Sequence, residues 1–347
     1  MKNTVTRLFS LFLLGMITFF SSCNSDDNLS TTAVTTESVF QIMVDGAICR
    51  GFINSSSDIQ FTGCGICWST NSNPTILDSI VSRNERMDEF ADTLRRLVPA
   101  TTYYVRAYAT YAPDKVEYGN IVAFQTPAIP EITMIAIPGG SFTMGGLLGS
   151  ISPQHLVTIS TFQMGATEIT QGNWKAIMGN EPSYFKGADL PVESVNMSDI
   201  QAFIQKLNTF SGKSYRLPRE AEWEFAAGGG VDTSTLWAGT NTSDSIGKYF
   251  WYSLNSNSKT HPVATKRPNT LGLYDMSGNV WEWCSDIYGS YSSAPQTDPT
   301  GPLTGGYIVI RGGSWAHDGN TCEKVTRSYN YPDDRKSSTG FRLVLNP

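Results

Sequence analysis

Residues Arg311–Val344 read RGGSWAHDGNTCEKVTRSYNYPDDRKSSTGFRLV. The two ends read as framework. Gly312-Gly313 makes a turn into Trp315, and Gly340-Phe341-Arg342-Leu343-Val344 reads as a strand. The middle differs: from Ala316 to Thr339, 16 of 24 residues are Ala, Gly, Ser, Thr, Asn, Asp, His or Tyr. So small and polar a run buries too little apolar surface to offset its own ordering. It is either an active-site loop or a contact surface, held by framework from elsewhere in the chain.

The chain has material for that framework. Its 347 residues suit two or three domains of about 100–200 residues each. Forty per cent apolar and 12% aromatic residues are a globular composition, and 31 Gly with 17 Pro favour turns and loops over long helices. Only 16% of residues are charged, the net charge is −6, and no basic run can neutralise phosphates, which argues against nucleic-acid binding.

The N-terminus reads as a targeting segment, residues 1–22. Lys2 and Arg7 are its basic part, and Leu8–Phe20 is too short for a comfortable membrane span. Phe20-Ser21-Ser22-Cys23 resembles a bacterial lipoprotein signal, with Cys23 the lipid-modified residue; an ordinary signal peptide cut nearby is the alternative. A lipid-modified Cys23 anchors the chain to the cell envelope, on its periplasmic or outer face. From Cys23 onward 23 basic residues face 31 acidic ones, a net charge of −8. Such a compartment permits disulfides among Cys49, Cys64, Cys67, Cys284 and Cys322. Cys64 and Cys67 form a lone C-x-x-C in a strand-like run; zinc needs two more ligands, so small apolar packing is the expected role.

Residues 23–35 are polar and unpatterned, as in a tether. Residues 36–127 carry only β signals. In Thr101–Tyr111, Tyr103, Val105, Ala107 and Ala109 alternate with Tyr104, Arg106, Tyr108 and Thr110. Leu97, Pro99, Thr101 and Tyr103 resemble the tyrosine corner of fibronectin type III domains, which implies an immunoglobulin/fibronectin-III-like sandwich whose Tyr hydroxyl ties back to the preceding turn. Thr126–Ile132 is a Pro-rich linker. Beyond it the pattern predicts a helix starting at Thr170. A second follows, with Ile200, Phe203, Ile204 and Leu207 on one face, a Ser198–Gln201 capping box and a Gly212 stop. A short third helix runs from Pro218. With few regular elements and many Trp, Tyr and Gly, residues 131–347 read as an irregular α+β domain.

Several motifs stand in order there: IPGGSFTMG, EITQGNW, LPVESVNMSDIQAF, RLPREAEWEFAA, THPVATKRPNTLGLYDMSGNVWEW, RGGSW and GFRLV. Together they resemble the sulfatase-modifying-factor family, which includes the formylglycine-generating enzymes. The resemblance implies a C-type-lectin-like fold. It also implies pocket roles for Trp281 and Ser314, and Cu(I) held by two cysteine thiolates, with oxygen then converting a substrate cysteine to formylglycine. Counted from Trp315, those positions are His317 and Cys322, so one thiolate is missing. Counted back from Gly340, Cys322 falls out of register as well. Copper ligation by Cys322, a disulfide to Cys284 and plain packing stay open. The resemblance also implies Ca²⁺ on Asp275, Gly278, Val280 and Glu282; the alternative is that Glu282 is a buried structural carboxylate.

The segment Arg311–Val344 is also similar to the variable proteins of diversity-generating retroelements. Framework would be Arg311, Gly312, Gly313, Trp315, Cys322, Arg327, Pro332, Arg335, Gly340 and Phe341. Exposed side chains of Ala316–Asn320 and Ser328–Tyr331 would contact a protein or glycan, with His317, Asp318, Asn320, Tyr329 and Tyr331 foremost; such residues dominate adaptable paratopes. The expectation is a non-catalytic binding module. The alternatives are a formylglycine-generating oxidase or a structural part of an envelope machinery.

Overall fold

The first described strand, Thr32–Met43, is rich in β-branched residues and pairs antiparallel with Gly46–Ser55. The computed structural model describes residues 32–346 except 56–59, 86, 113 and 232–234. The signal peptide, Cys23 and the start of the tether lie outside the described residues. Residues 32–35, read as tether from composition, belong instead to this strand: the alternation in Thr32-Ala33-Val34-Thr35-Thr36 buries Val34 and Thr36.

The N-terminal unit is two facing sheets. One joins Thr32–Met43, Gly46–Ser55 and Glu89–Arg95. The other is built on Phe61–Ser69 and Thr102–Tyr111, with Ser79–Arg83, Lys115–Tyr118 and Val122–Gln125 beside them. The period-two reading of the Thr102–Tyr111 strand is observed: Tyr103, Val105, Ala107 and Ala109 are buried in the core between the sheets. Tyr108, on the opposite face, is buried too. The Tyr103 hydroxyl accepts the Val98 N–H at 3.0 Å, so the expected tie to the preceding turn is present. Cys49, Cys64 and Cys67 are buried free thiols.

Among the described residues the rest of the chain is β-rich with three α-helices, α1 (Gln171–Met178), α2 (Met197–Ser211) and α3 (Glu220–Ala227). Thr170 caps α1 as expected, accepting the Asn173 N–H at 3.1 Å. The cap of α2 lies earlier than the sequence suggested. Asn196, not Ser198, accepts the Asp199 N–H at 3.0 Å, and Asp199 reaches back to the Asn196 N–H at 3.1 Å. Asn and Asp fill a capping box as well as Ser and Gln, and here the Asp also suits the positive helix end. Gly212 ends α2 at φ +68°, in the left-handed region that glycine tolerates. α3 starts two residues beyond Pro218, and all of its residues are buried.

Two apolar cores flank the central sheet, which runs Arg327–Asn330, Ile308–Arg311, Trp281–Ile287, Thr339–Gly340. One packs α1 and α2 around Trp174 and Phe203, stacked at 5.2 Å, with Phe341 edge-on to both. The other packs α3 and Trp223 against Met276, Cys284 and Val309. The N-terminal unit enters the first core. Val44, at the tip of the first hairpin, is buried among the α1 and α2 side chains, and its N–H donates to Ala176 O at 2.9 Å. Lys206 of α2 lies 3.8 Å from Asp45, the next residue of the tip. The linker is therefore not the only tie between the two units.

A carboxylate at Val44 would be desolvated in that apolar core, and Lys206 at its edge is already shared between Asp45 and Ile177 O. Val44→Asp is expected to undock the N-terminal unit and to speed thermolysin cleavage within Thr126–Ile132 well above the wild-type rate. Equal cleavage rates count against the docking.

Candidate functional site

Three arginines set the course of the C-terminal segment. Arg311 is buried and pairs with Glu224 of α3, while its Nη1 donates to Thr326 O at 2.5 Å. Arg327 reaches Glu220 of α3 with Nε and Nη2, at 2.7 and 2.6 Å. Arg342 grips Glu282 with both Nε and Nη2 at 2.6 Å. These bidentate and charge-assisted bonds are the strong class. Between them the chain turns at Gly312 (φ +99°) and Gly313 (φ +75°). A Cβ on Gly313 would stand 2.5 Å from Cys322 Sγ, so only glycine lets the two backbones approach.

Trp281, Ser314 and His317 come together. Ser314 Oγ and His317 Nδ1 are 2.7 Å apart, and the His317 ring stands edge-on to Trp281 with centroids at 5.5 Å. The His317 backbone is tied on both sides, N–H to Ser314 O at 3.0 Å and O from the Ser253 N–H at 2.9 Å. Burial lowers the imidazole pKa, which favours the neutral ring. Cys322 does not face this group. It is buried against Trp237, Ile246 and Phe250, and burial pushes its thiol up to about 12. Cys284 sits in the α3 core, so the disulfide alternative is not formed and both thiols are free.

The exposed residues form two groups. His317, half-buried, shares its loop with exposed Asp318 and Asn320. Asp318 Oδ1 accepts from the Thr321 N–H and hydroxyl at 2.8 and 2.9 Å, holding the short turn Asn320–Cys322. Tyr329 and Tyr331, 46% and 57% exposed, belong to the second group. Tyr329 packs on Tyr288 and Tyr307 at 4.8 and 4.5 Å; Tyr331 packs on Tyr307 at 4.7 Å and shares a 3.0 Å hydroxyl contact with it. Among the described residues no hydrogen bond or ring contact joins the two groups. Tyr288 and Tyr307 were missed from sequence. The only signal was aromatic residues next to strand-like runs, and their meeting with Tyr329 depends on strand pairing.

Two carboxylates expected from the sequence to hold Ca²⁺, Glu282 and Asp275, have different surroundings. Glu282 is spoken for: Arg342 holds both its oxygens, and Trp223 Nε1 donates to it at 2.8 Å. Both of its oxygens are engaged within the protein. Asp275 uses Oδ2 to accept the Ala264 N–H at 2.8 Å, and its buried Oδ1 has no partner. Glu168, which the sequence did not single out, also has a buried oxygen, Oε1, without a partner. Burial, then the charge of Asp275, push Glu168 well above the usual carboxylate range, and burial pushes Asp275 up to about 6. Two desolvated carboxylates with orphan oxygens fit a hard cation better than the set with Glu282 does. Gly278 and Val280 stay in the same loop, where Gly278 at φ +76° lies against Trp251 O.

Residues 122–347 match the sulfatase-modifying factor enzyme 1-like domain. The chain belongs to that family. The sulfatase-modifying-factor domain is similar to the chaperone protein LppX of Paenibacillus barcinonensis, 30% identical over 55% of this chain and 81% of that protein. It is also similar to the formylglycine-generating enzyme of Thermomonospora curvata, 34% identical over 50% of this chain; the match spans 61% of that enzyme's length. Among solved structures, Treponema denticola variable protein 1 superposes with a TM-score of 0.61 at 35% identity, over 65% of this chain and 98% of that one. The domain accordingly has the C-type-lectin-like fold.

A two-thiolate Cu(I) centre does not fit the side chains at these positions. His317 stands at one of them, bonded to Ser314, and the Cys322 thiol at the other is protonated and turned into an apolar pocket. In the folded protein Cys322 is expected to resist iodoacetamide at pH 8 and to react once urea unfolds the chain, as followed by mass spectrometry. Rapid native-state labelling at Cys322 would show the thiol to be accessible and ionised.

Proposed function

We propose that the chain is a lipid-anchored envelope protein, attached through Cys23. In this reading a fibronectin-type-III-like unit, residues 36–127, presents a sulfatase-modifying-factor-type domain as a non-catalytic ligand-binding module. The observation that carries it is the division of labour within Arg311–Val344. Arg311, Cys322, Arg327, Phe341 and Arg342 are buried and bonded or packed, while Ala316, Asp318, Asn320, Tyr329 and Tyr331 are exposed. A rigid frame carrying small, polar and tyrosine side chains is what an adaptable contact surface needs. Likeness to a protein named a variable protein, and to one named a chaperone, supports a protein or glycan ligand. Family membership alone does not carry the oxidase activity across.

Incubation of the protein with Cu(I), oxygen and a C-x-P-x-R peptide separates this reading from the oxidase. Mass spectrometry is expected to find no aldehyde above the protein-free control. Formylglycine formed by the wild type and lost in Cys322→Ser sinks the non-catalytic reading.

The reading extends to calcium, with Asp275 and Glu168 supplying carboxylate oxygens and Gly278 and Val280 carbonyls from the same loop. A bound ion stabilises the folded state by mass action. Millimolar CaCl₂ is expected to raise the melting temperature over EDTA, by roughly 2–4 °C per kcal/mol gained. The double variant Glu168→Gln, Asp275→Asn should lose that rise. Superimposed wild-type melts in CaCl₂ and EDTA remove calcium from the account.

A further inference from the structure

A cavity of about 460 Å³ opens between the start of α3, the Gly289–Ser292 turn and the segment Gln296–Pro302. That volume is in the range of small-molecule sites, roughly 300–1,000 Å³. It is separate from the Trp281–Ser314–His317 group, and none of its lining residues was singled out as a ligand from the sequence. Two buried carboxylates lie at its wall, and they are not equivalent. Glu220 is saturated by Arg327 and by the Tyr291 hydroxyl at 2.9 Å. Asp286 receives the Glu220 N–H at 2.8 Å and Ser285 Oγ at 3.2 Å, both on Oδ2. Among the described residues Asp286 Oδ1 accepts no hydrogen bond.

The position of Gly301 keeps that oxygen open. It has φ +69°, and a Cβ there would stand 3.3 Å from Asp286 Oδ1. Burial raises the Asp286 pKa to about 7; the nearby charges of Glu220 and Glu222 act the same way, and the Glu220 N–H and Ser285 hydroxyl act against it. An acceptor so desolvated gains most from a ligand that brings it a donor.

The lining narrows the ligand. An anion would meet the carboxylates of Asp286 and Asp298, and the Arg327 guanidinium is already taken by Glu220 and by Gly289 O at 2.6 Å. A wholly apolar ligand would leave Asp286 and the surrounding hydroxyls without partners. Tyr291 and His155 add aromatic surface, their rings 5.1 Å apart. Tyr291 also begins a tract that leaves the cavity. Arg327 lies over both Tyr291 and Tyr288, at 4.1 and 4.4 Å, and Tyr288 joins the exposed Tyr329–Tyr307–Tyr331 cluster.

We propose that this cavity is a binding site for a neutral saccharide, with Asp286 Oδ1 accepting a sugar hydroxyl and the Tyr291–His155 ring pair packing against a sugar C–H face. The tyrosine tract gives further units of an oligosaccharide a surface to follow. The site stands whether or not the Ala316–Asn320 loop contacts a ligand of its own.

The test is a neutral-oligosaccharide array probed with the full mature chain, followed by calorimetric titration of the sugar retained best. Asp286→Asn keeps the volume and removes a buried charge, so the fold should survive; circular dichroism checks it. The expected result is a retained neutral sugar whose affinity falls about tenfold or more in Asp286→Asn. Three results overturn the proposal: no neutral sugar retained, retention by Asp286→Asn at wild-type affinity, or displacement of the sugar by a lysine-bearing peptide alone. Sugar binding untouched by Asp286→Asn but lost in Tyr329→Ala or Tyr331→Ala rejects the cavity while leaving the surface reading intact.

Discussion

Charge neutrality in the core is the constraint on which the C-terminal half of the molecule depends. Arg311, Arg327 and Arg342 are buried, and a guanidinium has no neutral form to retreat to. Each therefore needs a carboxylate at a fixed place, and Glu224, Glu220 and Glu282 provide them. Two of these come from α3, a helix buried on every side, whose third glutamate takes Arg216. Leaving one partner of such a pair unmatched costs about 3–5 kcal/mol. The pairs thus anchor the segment near its start, middle and end. Between the anchors only Cys322 and Phe341 join the apolar cores, which is why the rest of the segment tolerates so polar a composition.

Much of the local structure was legible because its causes are local. Alternation in Thr102–Tyr111, the Thr170 cap and the Gly212 stop each depend on a few neighbouring residues, and each is found. The α2 cap was misplaced because Ser198 and Asn196 are both competent, and only the helix entry angle chooses between them. The site was legible only in part: the motifs singled out Trp281 and Ser314, and the structure adds His317 beside them. Its partners were not. The reach of Arg342 to Glu282, the orphan oxygen of Glu168 and the meeting of Tyr307 with Tyr329 join residues far apart in sequence, and no periodicity encodes them. The tether was read one strand edge too long because Thr-rich polar runs serve strands as well as linkers.

At the two positions where the resemblance to the oxidases implies thiols, this chain carries His317 and Cys322. The turn, the serine and the tryptophan persist, and the imidazole of His317 takes a hydrogen bond from, or gives one to, Ser314. The remaining thiol faces inward and serves as an apolar filler behind Gly313. These two side chains do not form a pair of soft sulfur ligands.

The hairpin tip at Val44 bears on how freely such proteins can be assembled from parts. Gly179, which ends α1 at φ +75°, lies so near Met43 that a Cβ would stand 2.5 Å from its side chain. The front unit and the helices behind it are thus cut to each other's shape. Exchange of the front unit for another sandwich leaves a gap beside α1 and α2 where Val44 is buried, unless the newcomer brings a matching tip. Modular reshuffling at the Thr126–Ile132 junction is therefore restricted to partners that carry their own plug.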